Sequence, residues 1–242
     1  MKKLIRLSLV AGLLIAGAQE MQAQWGKKVV GNGNVTTRTV TTGDYDGVKG
    51  VGSMDIHLEK GSEGTITVKT DENIQEFIIV EVKNGALVIR TKKNVSIRTK
   101  KGVHVYVPFQ DISEVSLVGS GDIDTKDAIS ANNFEVNVTG SGDVVLEVNS
   151  KILEASVTGS GDMELTGSTE DLEVRVSGSG DFKGFDLNAQ NTDASVSGSG
   201  DAKIVAKSSL RARVNGSGDI VYKGNPEKSD TKTSGSGDIS SY

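Results

Sequence analysis

The chain has 242 residues, which suits one solenoid- or barrel-sized domain. Lys and Arg number 27 against 32 Asp and Glu, and removal of a basic leader makes the remainder more acidic, so nucleic acid is not an expected partner. Cysteine is absent, which excludes disulfides, a thiol nucleophile and a lipid-modified N-terminal Cys.

The first 23 residues read as a secretory signal peptide. Lys2, Lys3 and Arg6 form a positive n-region, and Leu7 to Ala18 is apolar but short for a membrane span. A cut after Ala23 is preferred, with a cut after Ala18 as the alternative. Residues 24–43 then form an N-terminal extension, and 44–242 a single domain.

Between 44 and 110 the pattern is irregular but strand-like. Apolar residues alternate at Met54, Ile56 and Leu58, at Ile66 and Val68, at Leu87 and Ile89, and at Val103, Val105 and Val107. Lys60-Gly61-Ser62 and Asn84-Gly85 are turn signals, and Asp71 to Phe77 is the one place for a short helical turn. His57 and His104 stand alone, with no second His at ligand spacing, so neither is expected to hold a metal. Arg90, Lys92, Lys93, Arg98, Lys100 and Lys101 make the one basic run. It reads either as the solvated face of edge strands or as a patch for an acidic glycan or lipid headgroup, with Tyr106 and Phe109 nearby as a sugar-stacking surface.

From about residue 111 the chain repeats. Gly-Ser-Gly-Asp begins at Gly119, Gly140, Gly159, Gly178, Gly198, Gly216 and Gly235. The spacing is nearly constant at roughly 20 residues, a period typical of stacked repeat architectures. Two residues before each first Gly sit Leu117, Val138, Val157, Val176, Val196, Val214 and Thr233, and directly after each Asp sit Ile123, Val144, Met163, Phe182, Ala202, Ile220 and Ile239. This alternation places half-buried strands on both sides of a tight turn. One coil cannot bury its apolar row alone, whereas stacked coils make a continuous core. The expected fold is therefore an all-β, right-handed parallel β-helix with coils of about 19–20 residues. An antiparallel sandwich accounts for the strands but not for seven identical turns. The earlier segment Gly50 to Asp55 looks like a worn copy of the repeat, and the polar last coil, with Thr231 and Thr233, suits a cap.

Stacking puts Asp122, Asp143, Asp162, Asp181, Asp201, Asp219 and Asp238 in one column. At about 5 Å spacing each adjacent pair repels by roughly 1 kcal/mol in water and about 3 kcal/mol at an effective dielectric of 20. Backbone N–H donors and solvent are the expected offset. Ca²⁺ is the less favoured alternative, because one carboxylate per coil at this period departs from calcium-binding nonapeptide repeats. Neither a metal nor another cofactor is expected. A uniform column also gives every carboxylate the same surroundings, which does not separate an acid from a base, so an enzyme is not expected either. Gly-x-Ser-x-Gly is absent, and Gly-Ser-Gly-Asp lacks the Lys and helix of a phosphate loop.

The apolar-x-apolar-x-Gly-Ser-Gly-Asp coils, together with the ending Ile220-Val221-Tyr222-Lys223-Gly224-Asn225-Pro226, resemble the family described as "putative auto-transporter adhesin, head GIN domain", over roughly residues 44–242. The resemblance implies a β-helical fold and an exported, cell-envelope setting in a Gram-negative bacterium, either periplasmic or at the surface. It supplies no catalytic residues. No long alternating strands with aromatic girdles follow Asp238, so no membrane barrel is expected here. A non-enzymatic glycan-binding or adhesin-like solenoid is the leading expectation. A periplasmic scaffold is the second, and a carbohydrate-active enzyme the third.

Overall fold

The computed structural model describes residues 26–242, so the expected signal peptide lies outside them. The chain is a β-solenoid of parallel coils, each turning at a Gly-Ser-Gly-Asp corner. Strands leading into the corner stack in register: Glu114–Gly119 pairs with the strand Ile129–Gly140, which pairs with Val144–Gly159, then Met163–Gly178, Leu187–Gly198, Ser209–Gly216 and Lys228–Gly235. A second parallel stack follows the corner, from Ile123–Thr125 to Ile239–Ser241.

The apolar columns of the sequence point inward. Leu117, Val138, Val157, Val176, Val196 and Val214 are all buried, as are Ile123, Val144, Met163, Phe182, Ala202 and Ile220. Burying a Val or Leu contributes roughly 1.5–3 kcal/mol, so each coil depends on its neighbours for most of its stability. In the last coil Ser229, Thr231 and Thr233 continue the rows of Leu210, Ala212 and Val214, and all three are exposed. Polar residues thus end the core without an apolar face.

The corners show why two glycines are needed. The first has φ between +122° and +141° in all seven copies. A Cβ on Gly140 would lie 2.2 Å from the Gly119 carbonyl oxygen, and one on Gly142 would lie 1.9 Å from that of Gly121. The space is taken by hydrogen bonds, since the N–H groups of Ser141 and Gly142 both donate to the Gly119 carbonyl, at 2.8 and 3.1 Å.

The first part of the molecule is built differently. Ala86–Thr91 and His104–Phe109 stack on Gly47–Gly52 and Asp55–Lys60, which in turn stack on Glu114–Gly119 and Ile123–Thr125. A later stretch of sequence is thereby placed outside an earlier one. Antiparallel pairs close this end: Val35–Thr41 with Thr65–Asp71, Thr65–Asp71 with His104–Phe109, and the hairpin Ile78–Lys83 with Ala86–Thr91. The hairpin turns at Asn84 and Gly85, both with positive φ, as a tight Asn-Gly turn requires. A purely parallel reading does not anticipate these pairs. The short helical turn is a 3-10 helix, Gln75–Phe77.

Candidate functional site

The Asp column closes on the backbone. The N–H of Asp143 donates to Oδ1 of Asp122 at 3.0 Å, and the contact repeats coil by coil to Asp238, whose N–H donates to Oδ1 of Asp219 at 2.8 Å. Each carboxylate except the last thus accepts one backbone donor from the following coil. A salt bridge interrupts the uniformity, as Lys183 Nζ lies 2.7 Å from Oδ2 of Asp162. Partial burial pushes the Asp162 carboxyl up, but the hydrogen bonds from Lys183 and the Asp181 N–H, together with the Lys183 charge, hold it below its ordinary value. Lys183 is raised in turn, first by its hydrogen bond to Asp162.

His57 and His104 are not isolated, which corrects the reading from sequence spacing. Parallel pairing of Asp55–Lys60 with His104–Phe109 sets Asp55 opposite His104 and His57 opposite Tyr106. His57 Nδ1 lies 2.6 Å from Asp124 Oδ2, and His57 Nε2 lies 3.1 Å from His104 Nδ1. Asp124 orients the His57 ring, and Asp55 Oδ2 lies 3.6 Å from His104 Nδ1. The His57 and Tyr106 rings pack at 5.0 Å. Among the described residues no three His, Cys, Asp or Glu side chains are arranged to hold a metal ion.

The basic run is divided by the fold. Arg90 pairs with Glu81 at 3.0 Å, and Lys92 lies over the Phe77 ring. Lys93 is exposed and, like Arg90 and Lys92, lines no part of the cleft described next. Arg98, Lys100 and Lys101 line an open cleft of about 470 Å³, and Lys28 joins them from the strand Lys27–Val30, which pairs in parallel with Val95–Arg98. Lys28 belongs to the segment that the sequence sets apart as an extension. Its signal is only a Lys pair before a Val pair, and the strand pairing that brings it to Arg98 joins segments remote in the chain.

The floor of the cleft is Asp71, 1% exposed. Its carboxylate accepts the Gly33 N–H and the Thr99 hydroxyl, and Thr99 Oγ1 accepts the Lys101 N–H at 3.0 Å. A Cβ on Gly31 would meet Asp71 Oδ2 at 2.4 Å, so the loop can approach only as glycine. Asn73 fixes the same loop, donating to the Val30 carbonyl at 2.8 Å and accepting from Asn32 N–H at 3.0 Å. The one carboxylate of the cleft is therefore occupied by protein donors. Among the described residues none of Lys28, Arg98, Lys100 or Lys101 forms an ion pair. Four cations around one fixed hollow favour an anionic ligand. Neither aromatic residue expected beside the run lines the cleft, since Phe109 is buried and Tyr106 packs against His57.

Comparison with known proteins agrees with this architecture. The family model "Putative auto-transporter adhesin, head GIN domain" matches residues 44–226. A "putative adhesin" from Bacteroides fragilis superposes with a TM-score of 0.84 at 23% identity, over 88% of this chain and 100% of its own. A "putative lipid binding protein" from Parabacteroides distasonis gives 0.73 at 30% identity, over 89% and 100%. A "putative adhesin" from Parabacteroides distasonis gives 0.72 at 23% identity, also over 89% and 100%. No curated protein matches the chain. With three quarters of its length matched by the family model and a relative at 30% identity over nearly all of it, the chain belongs to the auto-transporter adhesin head GIN domain family.

Proposed function

We propose that this protein is an exported, non-enzymatic binding protein of the adhesin type, which holds an acidic glycan in the cleft of Lys28, Arg98, Lys100 and Lys101. The observation that carries this reading is the convergence of four cations, unpaired among the described residues, on one hollow whose lining carboxylate is already satisfied. The family description and the leader-like N-terminus support an envelope setting. Among the described residues no helix is long and apolar enough to cross a membrane. The hydrogen-bonded uniformity of the Asp column supports a structural rather than catalytic use of those carboxylates.

A second reading has one specific observation in its favour. Val30, 58% exposed, lies in the cleft beside the cations, an arrangement that suits the phosphate and first methylenes of an anionic lipid. The relative described as a lipid-binding protein agrees with it. Calorimetric titration of the purified chain with a heparin oligosaccharide, with a neutral dextran and with anionic phospholipid vesicles separates the readings. The glycan reading expects heat from heparin beyond any from dextran, and none from the vesicles. Heat only from the vesicles favours the lipid, and heat from none of the three contradicts both. Protease treatment of intact against lysed cells tests the location, since surface display predicts cleavage before lysis.

A further inference from the structure

We propose that a second ligand site, for a pyranose ring of an uncharged glycan, lies on the other part of the solenoid, at Phe185 and Tyr242. It is independent of the basic cleft. Its origin is a local irregularity in the repeat. The interval from Gly178 to Gly198 is longer than those on either side of it, and the strand after the first of these corners is only Phe182–Lys183. Phe182 is buried and fills the core where other coils carry aliphatic side chains. Its ring leaves no room for a side chain two residues on, since a Cβ on Gly184 would lie 2.5 Å from Phe182 Cε1. The chain turns here, with the Leu187 N–H donating to the Gly184 carbonyl, and Phe185 is left half-buried at the surface.

Phe185 does not stand alone. Tyr242, 83% exposed, meets it edge to face with ring centroids 5.2 Å apart. The Lys223 ammonium lies 4.2 Å from the Phe185 centroid and 5.0 Å from that of Tyr242. The ammonium is within cation–π distance of both rings and so ties them to the strand Ile220–Lys223. Among the described residues four of the five Phe rings, Phe77, Phe109, Phe134 and Phe182, are buried, and Phe185 is the exception.

Beside the rings, Phe185 forms one wall of a hollow of about 200 Å³, whose rim carries Glu164, Asp186, Lys203 and Thr166. Lys183, also on the rim, is engaged by Asp162. An apolar aromatic wall with hydroxyl, carboxylate and ammonium groups around it matches the two chemistries of a pyranose, an axial C–H face and an equatorial belt of hydroxyls. The rim carries both signs of charge, unlike the basic cleft, and so does not select for an anion.

Saturation-transfer NMR tests the site, with the methyl glycosides of glucose, galactose and N-acetylglucosamine as probes. Irradiation of protein aromatic protons is expected to reach ring C–H protons of at least one probe. Phe185→Ala and Tyr242→Ala should each weaken that probe by about tenfold, while Lys100→Glu in the basic cleft leaves it unchanged. Both rings lie outside the core, and unchanged melting curves establish that the variants fold. Absence of transfer to all three probes overturns the proposal. Transfer that survives both aromatic substitutions also overturns it.

Discussion

The backbone N–H of Asp181 donates to Oδ1 of Asp162, one coil earlier, at 3.0 Å. The same relation links each Asp of the column to the next, so the carboxylates that repel one another along the stack also fasten it. Replacing an interior one removes one acceptor together with its repulsion from the Asp on either side. Asp143→Ala should lower unfolding stability by about 1 kcal/mol, and Asp143→Asn, which keeps an acceptor oxygen, by less. Urea denaturation of the two variants checks the order. A loss above about 4 kcal/mol for the alanine variant would mean that the column has a further role.

The Asp162–Lys183 pair gives the molecule a specific pH signature. The Asp162 carboxyl is depressed in the folded state, so its stabilisation is present above its ordinary value of 3.8 and is lost as pH falls through the folded value. Lys183 is raised, so its contribution is complete below 10.5 and is lost as pH rises through the folded value. The stability difference between the native chain and Lys183→Met should therefore be flat across the neutral range and shrink at both extremes. Urea midpoints measured across pH test this, and a difference that persists unchanged in acid would contradict it.

Glycine matters at the corners for two separable reasons. Gly159 has φ +122°, and a Cβ there would lie 2.3 Å from the Gly140 carbonyl oxygen. Gly33 also has positive φ, at +81°, but a Cβ there meets nothing within 4 Å. Gly33→Ala should thus cost about 1–2 kcal/mol from backbone strain alone. Gly159→Ala should cost more than about 4 kcal/mol or prevent folding, because strain and collision add. Thermal melts of the two variants side by side measure the difference.

The contact between His57 and His104 predicts coupling. The two rings share one N···N hydrogen bond of 3.1 Å, and His57 is oriented by Asp124. His57→Ala and His104→Ala should therefore be non-additive, with a double-mutant interaction energy of about 0.5–1 kcal/mol. An additive double variant would contradict the coupling.

Periodicity made the regular half of the fold legible. Seven identical corners flanked by alternating Val, Leu and Ile leave few alternatives to a stacked coil, and Val138, Val157 and Val176 lie where that pattern puts them. The first part was less legible because its contacts are remote in sequence. Val95–Arg98 pairs with Lys27–Val30, and His104 reaches His57, through strands that do not follow one another in the chain. The basic run shows the same limit over a short stretch of chain. Arg90 and Lys92 read like Arg98 and Lys100, yet the strand directions send the first two to Glu81 and Phe77 and the others to the cleft. The only sequence signal for Phe185 is that its coil, from Gly178 to Gly198, is longer than the coils on either side.

On the proposed reading the cleft of Lys28, Arg98, Lys100 and Lys101, and not the basic run as such, binds the glycan. Heparin affinity of the native chain, compared with Arg98→Glu/Lys100→Glu and with Lys92→Glu/Lys93→Glu at equal ionic strength, tests it most directly. The two double variants change net charge equally, so the salt-screened background is the same for both. The expected loss is at least tenfold for the cleft variant and less than threefold for the other. Equal losses in the two variants, or none in the cleft variant, would contradict it.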